Sequence, residues 1–259
     1  MVKGLYTAYT GMINEQNRMD IMTNNLANAS TVGYKKEGST SQSFDDVLTV
    51  KIKDQSVGMR NVQRLGVKNP GVEIGENYTD YSQGSFRITG NTYDLALSGE
   101  GFFAIEFTNK AGETDTKYTR AGQFTLNKDG YLVTEEGDYV LDTQNRRIRL
   151  NTLIDSSITD DGTIYQNGQA VAKIQVTDFE DYDYLEKYGE TYYQPIQGAK
   201  TIAAKAQVKS GYLEMANVQI VSEMVNLISI TRAYESNQKV VQTIDDTLDV
   251  AVNQIGRVQ

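Results

Sequence analysis

The chain has 259 residues, a formal net charge of −9, and no cysteine, histidine or tryptophan. Without cysteine there is no disulfide, thiolate nucleophile or sulfur-ligated metal, and without histidine the commonest general base and metal ligand is gone. The acidic balance argues against nucleic acid and anionic membrane surfaces as partners.

The pattern predicts a first helix from Val2 to Ala29. Leu5, Met12, Met19 and Leu26 fall on one seven-residue series, a seam meant for another helix. Ala8 and Met22 lie on the same side at steps of about 100°. Asn14, Asn17, Asn24, Asn25 and Asn28 share the opposite side. Asparagine is a poor helix former because its amide competes for backbone groups. Solvated helix faces usually carry Lys and Glu, so this amide stripe reads as an uncharged polar interface rather than a wetted face. Ser30, Thr31 and Gly33 end the helix, with Gly33 suited to a left-handed position after the cap.

Tyr34 to Asp80 is polar and weakly periodic, and reads as an extended connector. Phe44 to Leu48 forms a short apolar anchor inside it, and Pro70-Gly71 marks a turn. From Gly84 to Tyr212 the period changes to two. Leu95–Leu97 and Phe102–Phe107 read as strands. Phe124–Leu126 and Tyr131–Val133 flank an Asp129-Gly130 turn, a hairpin signature. A second turn at Asp160-Asp161-Gly162 precedes Thr163–Tyr165, and Val171–Val176 follows as a strand. The acidic, tyrosine-rich stretch Asp178 to Tyr193 reads as an exposed loop.

A second helix is expected from Asn217, a good N-cap residue, to Gly256. Its seam is Ile220, Leu227, Tyr234, Val241, Leu248 and Ile255, joined by Ile230, Ile244, Ala251 and Val258. Glu223 and Asn237 interrupt that seam, as polar residues that fix register and partner number do. A helix of about 38 residues spans roughly 57 Å at 1.5 Å per residue, too long for the β domain to cover. The expected fold class is therefore α+β: terminal helices paired as a coiled-coil domain, with an inserted antiparallel β domain. The expected domains are 1–33 and 213–259 (the helices), 34–83 (the connector) and 84–212 (the β domain).

Two motifs resemble chemical sites and are better explained otherwise. Gly99-Glu100-Gly101 has the glycines of a dinucleotide loop, but an alternating strand follows where that loop requires a helix. Thr125 to Glu136 approaches a calcium loop, yet Thr125 stands where the first aspartate belongs and the flanks are strands. Asp178, Glu180, Asp181 and Asp183 form a charge run of the solvated kind. No catalytic, cofactor-binding or metal residue is assigned, no cofactor is expected, and no small-molecule substrate or nucleic-acid partner is implied. Met1 to Ala29 lacks an apolar run of about seven or more residues, so no cleavable secretory signal is expected.

Five segments carry a resemblance. Asn24-Asn25-Leu26-Ala27-Asn28-Ala29-Ser30-Thr31-Val32-Gly33-Tyr34-Lys35 resembles the N-terminal signature of bacterial flagellar rod and hook proteins. Val218 to Asn237, with Glu223-Met224-Val225 and Arg232-Ala233-Tyr234-Glu235, resembles their terminal helix. Asp94-Leu95-Ala96-Leu97 with Gly99 to Phe103, Tyr118-Thr119-Arg120-Ala121-Gly122, and Gly130-Tyr131-Leu132-Val133-Thr134 resemble their β-domain motifs. The chain departs from many relatives at Thr92-Tyr93-Asp94, where a proline is common two residues before the aspartate.

The resemblance implies a structural subunit, not an enzyme, of the flagellar basal-body rod. Its terminal helices would line a helical tube with the β domain outside. It would be a homo-oligomer meeting other rod proteins and hook protein, exported by the flagellar type III apparatus with an uncleaved N-terminus. Length and the single β domain favour the rod type, distal ahead of proximal, over a hook or hook-junction subunit. Other classes consistent with the pattern are an extracellular β-domain enzyme acting on glycans and a trimeric coiled-coil adhesin. The expected assembly interface comprises Leu5, Met12, Asn14, Asn17, Met19, Asn24, Asn25, Leu26, Asn28, Ile220, Met224, Leu227, Ile230, Tyr234, Val241, Ile244, Leu248 and Ile255. Within it, the asparagine stripe is expected to form inter-subunit hydrogen bonds or to line the lumen.

Overall fold

The computed structural model describes residues 2–52, 62–109 and 112–255. The architecture is α+β, with a helix at each end and a β-rich middle. Two compact units emerge. One holds helix α1 (Val2–Ala27) up to Leu26, helix α2 (Ile220–Val250) and the strands between Glu37 and Asp80. The other holds 27–36 and 81–219.

In the helical unit the described part of the connector forms strands, which its weak periodicity did not suggest. Strands β1 (Glu37–Ser43) and β4 (Val72–Thr79) pair antiparallel, as do β2 (Val47–Ile52) and β3 (Val62–Lys68). Pro70-Gly71 therefore links β3 to β4 along one side of a ribbon instead of closing a hairpin. The Asn69 amide donates to Phe44 O at 2.7 Å, and Gly71 N–H donates to Asn69 Oδ1 at 2.9 Å, holding the break across the ribbon. The break sits on α1, where the Thr7 hydroxyl donates to Pro70 O at 3.2 Å. Gly71 has φ of 149°, and a Cβ there would overlap Thr10 Oγ1.

Helices α1 and α2 run antiparallel. A Cβ built on Gly4 would lie 3.7 Å from Ile244 Cδ1, and one on Gly11 would lie 3.0 Å from Asn237 Nδ2. Each interior glycine costs about 1 kcal/mol of helix propensity relative to alanine. Here that loss accompanies close approach of the second helix. α2 starts at Ile220, not at Asn217. The Asn217 side chain is committed elsewhere: its amide donates to Ser82 O and Oγ at 3.2 and 3.0 Å, and its Oδ1 accepts from Lys36 N–H at 2.7 Å. After Val250 the helix loosens into a π turn, Ala251–Ile255. The seam position Val258 lies outside the described residues.

In the β unit, among the described residues, the main sheet has nine strands. Strand Phe102–Thr108 lies at its centre and pairs with Thr114–Thr119, Tyr139–Val140 and Val176–Phe179. Because side chains alternate along a strand, Phe102 and Phe103 enter different cores. Phe103 packs with Leu95, Leu97, Phe124, Leu132 and Ile164; Phe102 packs with Tyr118, Phe179, Leu185 and Tyr193.

The expected Asp-Gly hairpin is present, with Leu132 opposite Leu126. Asn127 Oδ1 accepts from Asp129 and Tyr131 N–H, and Gly130 takes φ of 82°. That side-chain oxygen is a turn element, which accounts for the calcium-like spacing. Gly99 and Gly101, with φ of 118° and 133°, join two strands.

The stretch Asp178 to Tyr193 is not an exposed loop. Leu185–Tyr188 and Tyr192–Pro195 form a hairpin that extends the main sheet through Thr114–Thr119. Tyr193 is fully buried, and its ring lies 5.3 Å from Phe102 and 5.5 Å from Tyr81. Aromatic burial and ring contacts of this kind outweigh the pull of neighbouring carboxylates toward water. The expected strand Val171–Val176 is likewise divided: Gln169–Lys173 pairs back on Thr163–Gln166, and Val176–Phe179 joins the main sheet.

Candidate assembly interface

The sheltered residues of α2 follow its seam. Ile230 is buried, and Leu227, Tyr234, Asn237, Val241, Ile244 and Leu248 are half-buried. Leu5, Met12, Met19 and Leu26 of α1 are half-buried as well. A seam closed within one chain would bury these residues fully; here it stays half open. Ile220 and Met224 are about half exposed (50% and 49%), so they lie outside the seam's sheltered stripe. The side chain of Ile255 lies outside the described residues. Beside Ile230, a cleft of about 210 Å³ is lined by Glu15, Arg18, Met22, Asn226 and Ala233, with Arg18 paired to Glu15 at 3.1 Å.

The asparagine stripe divides. In the helical unit Asn25 is fully buried: its Nδ2 donates to Glu37 O at 2.7 Å, and its Oδ1 accepts from Glu37 N–H at 2.9 Å. The side chain thus imitates a neighbouring strand and anchors the start of β1 to the end of α1. Asn14 is buried and accepts from Ser41 Oγ at 3.1 Å. In the β unit Asn28 is buried and accepts from Thr31 Oγ1 at 3.1 Å. Asn25 and Asn14 therefore clamp the subunit internally, because β1 supplies the partners expected from a neighbour. Asn24 is exposed and Asn17 half-buried.

The signature's end, Gly33-Tyr34-Lys35, sits in the β unit against a buried charge cluster. Lys35 Nζ donates to Glu214 Oε1 at 2.6 Å and to Ser82 O at 2.8 Å. Arg120 Nη1 donates to Glu214 Oε2 at 3.2 Å and its Nη2 to Gly99 O at 2.8 Å, while Gly84 N–H donates to Glu214 Oε1 at 3.0 Å. Exposures of 1%, 0% and 3% for Lys35, Glu214 and Arg120 put the whole cluster out of water. It ties together the signature, the Tyr118–Gly122 motif and the strand leading to α2. Gly33 has φ of 71°, and a Cβ there would overlap the Ala121 backbone.

Elsewhere in the β unit, a hydrogen bond from Arg147 holds the Glu106 carboxyl below its ordinary value, with burial opposing. Among the described residues, no group of three or more acidic side chains is placed to hold a metal ion. Nor is any helix long and apolar enough to cross a membrane.

Half-open helical seams at the two ends mark a subunit that has further apolar surface to cover, and in the β unit Lys35, Arg120 and Glu214 are committed to each other. Comparison with known proteins gives the family. The family described as "Flagella basal body rod protein" matches residues 5–35, and "Flagellar hook protein FlgE/F/G D1 domain" matches 96–168. "Flagellar basal body rod FlgEFG protein C-terminal" matches 209–255. The flagellar basal-body rod protein FlgG of Bacillus subtilis is 34% identical, covering 98% of this chain and 99% of that protein. The flagellar basal-body rod protein FlgF of Caulobacter vibrioides is 32% identical over the whole of both chains, and FlgG of the same organism is 34% identical over 95% of this chain. The chain belongs to the flagellar basal-body rod protein family: it is a structural subunit of the flagellar rod, not an enzyme.

Proposed function

We propose that the subunit polymerises helically through its terminal helices, which pair as a coiled coil and form the wall of a tube within the basal body. The observation that supports this reading is the half-covered seam. Leu5, Met12, Met19 and Leu26 on α1, and Leu227, Tyr234, Val241, Ile244 and Leu248 on α2, are only half-buried. Apolar surface left over at a helix pair gains free energy when neighbours cover it, at about 25 cal/mol per Å². Each copy then meets the next with a different face, which generates a fibre rather than a closed ring.

Helices stabilised mainly by packing fold fully only on assembly. That property suits export through the flagellar type III apparatus with the N-terminus uncleaved. The subunit's neighbours in the basal body are further copies, other rod proteins and hook protein. Deleting the gene and imaging the cells tests this reading. Loss of motility and of hooks, restored by the intact chain, is expected; hooks of normal length on the deletion strain would refute it.

A further inference from the structure

Both helices carry apolar residues that their mutual contact leaves outside. On α1, Tyr6, Tyr9 and Ile13 are 53%, 52% and 40% exposed; on α2, Val221, Val225 and Ile228 are 76%, 61% and 51% exposed. Read from Tyr6 up α1 and from Ile228 down α2, both stripes step by three residues and then by four. When two helices run antiparallel, those steps match position for position. Neither stripe exposes a charge: Gly4 to Asn14 contains no Asp, Glu, Lys or Arg, and Val221 to Thr231 contains only Glu223, which is buried.

The stripes lie at different levels. With Gly11 facing Asn237, Val225 stands level with Thr23 of its own chain, about 14 residues along the helix from Tyr9. Differing in composition and in level, they suit a head-to-tail joint better than a two-fold one.

We propose that the Val221, Val225 and Ile228 face of α2 seats on the Ile13, Tyr9 and Tyr6 face of α1 in the next copy of this chain. The proposal rests on the polymerisation argued above and names the surfaces that carry it. A second copy is the occupant because the matching stripe, in matching order, lies on the same chain. Copies carrying a net charge of −9 also approach best where neither surface is charged. The joint sets successive copies about 14 residues apart along the helix axis, roughly 21 Å at 1.5 Å per residue.

The chain has no cysteine, so introduced thiols are the only ones present. Tyr9→Cys with Val225→Cys, assembled and then oxidised, should give a ladder of covalent dimers, trimers and longer species. Each single variant should stay monomeric on a denaturing gel. The pair Tyr6→Cys with Ile228→Cys repeats the test at the other end of the joint. Val225→Lys, with circular dichroism unchanged, should raise the concentration needed for assembly at least about tenfold, because a charge enters an apolar contact. Polymers without a ladder from either pair, a single variant that dimerises, or a Val225→Lys chain that assembles normally would overturn this joint and leave polymerisation standing. Failure of the unmodified chain to polymerise would overturn both.

Discussion

The Glu214 carboxylate contacts both buried cations of the charge cluster, so Glu214→Gln is the sharpest perturbation of the β unit. The carboxylate accepts from Lys35, Arg120 and Gly84 at 2.6, 3.2 and 3.0 Å, and it is fully buried. A glutamine of the same shape keeps one acceptor oxygen but removes the charge, leaving Lys35 and Arg120 facing each other in a dry site. Breaking a buried ion pair by removing one partner costs about 3–5 kcal/mol. For a unit of this size that corresponds to a fall in Tm on the order of 10 °C. Lys35→Met should cost less, because Glu214 and Arg120 remain as a neutral pair with Arg120 still bonded to Gly99 O. Thermal unfolding followed by circular dichroism compares the two. A loss below about 1 kcal/mol for Glu214→Gln, the range of an exposed pair, or a larger loss for Lys35→Met, would refute the cluster as the lock of this unit.

Asn25→Ala leaves the Glu37 backbone without its side-chain partners and should destabilise the start of β1 by about 1–3 kcal/mol. Faster hydrogen exchange at the Glu37 amide, with exchange in the β unit unchanged, checks it. Gly33→Ala adds about 1–2 kcal/mol for the left-handed backbone and about 1–3 kcal/mol for overlap with Ala121. Gly137→Ala, where a Cβ meets nothing within 4 Å, bears only the backbone cost, and denaturant midpoints of the two variants give the comparison. The Glu106 carboxyl, held down by Arg147, stabilises the folded chain above its ordinary titration range and loses that contribution as pH falls through its lowered value. Arg147→Ala should move the NMR titration midpoint of Glu106 upward toward the ordinary 4.5.

The helices and the β-rich middle were legible because each follows a period that side-chain geometry imposes: seven for a seam, two for a strand. The Asp129-Gly130 hairpin was legible because its turn chemistry is local. The Asn167-Gly168 turn, with φ of 51° and 76°, has the same signature and was readable from sequence, yet a single strand was expected after it. The ribbon β1–β4 has no such signal. Its first strand, Glu37–Ser43, is nearly all polar and small, and it is held by a partner strand, Glu37 opposite Thr79 and Ser43 opposite Val72, and by Asn25 and Asn14.

That same fact explains why the internal bonds of Asn14 and Asn25 were not legible in the asparagine stripe. Amides on a helix face announce that partners exist but not whether they belong to the same chain. The tyrosine-rich hairpin was hidden by its carboxylates, although Phe179, Leu185 and Tyr193 bury themselves in one core. The charge cluster was least visible of all. Lys35 and Arg120 stood within recognisable motifs, but Glu214 lies 179 residues from Lys35, and no local pattern marks a pair of that separation.

Electron microscopy of basal bodies from cells whose sole copy carries Val241→Asp tests the central claim most directly. The substitution places a charge in the half-covered seam of α2 and leaves the β unit untouched. The account predicts rods that stop short and bear no hook, while the purified variant keeps the β unit's unfolding transition. Full-length rods carrying hooks would contradict assembly through the terminal helices.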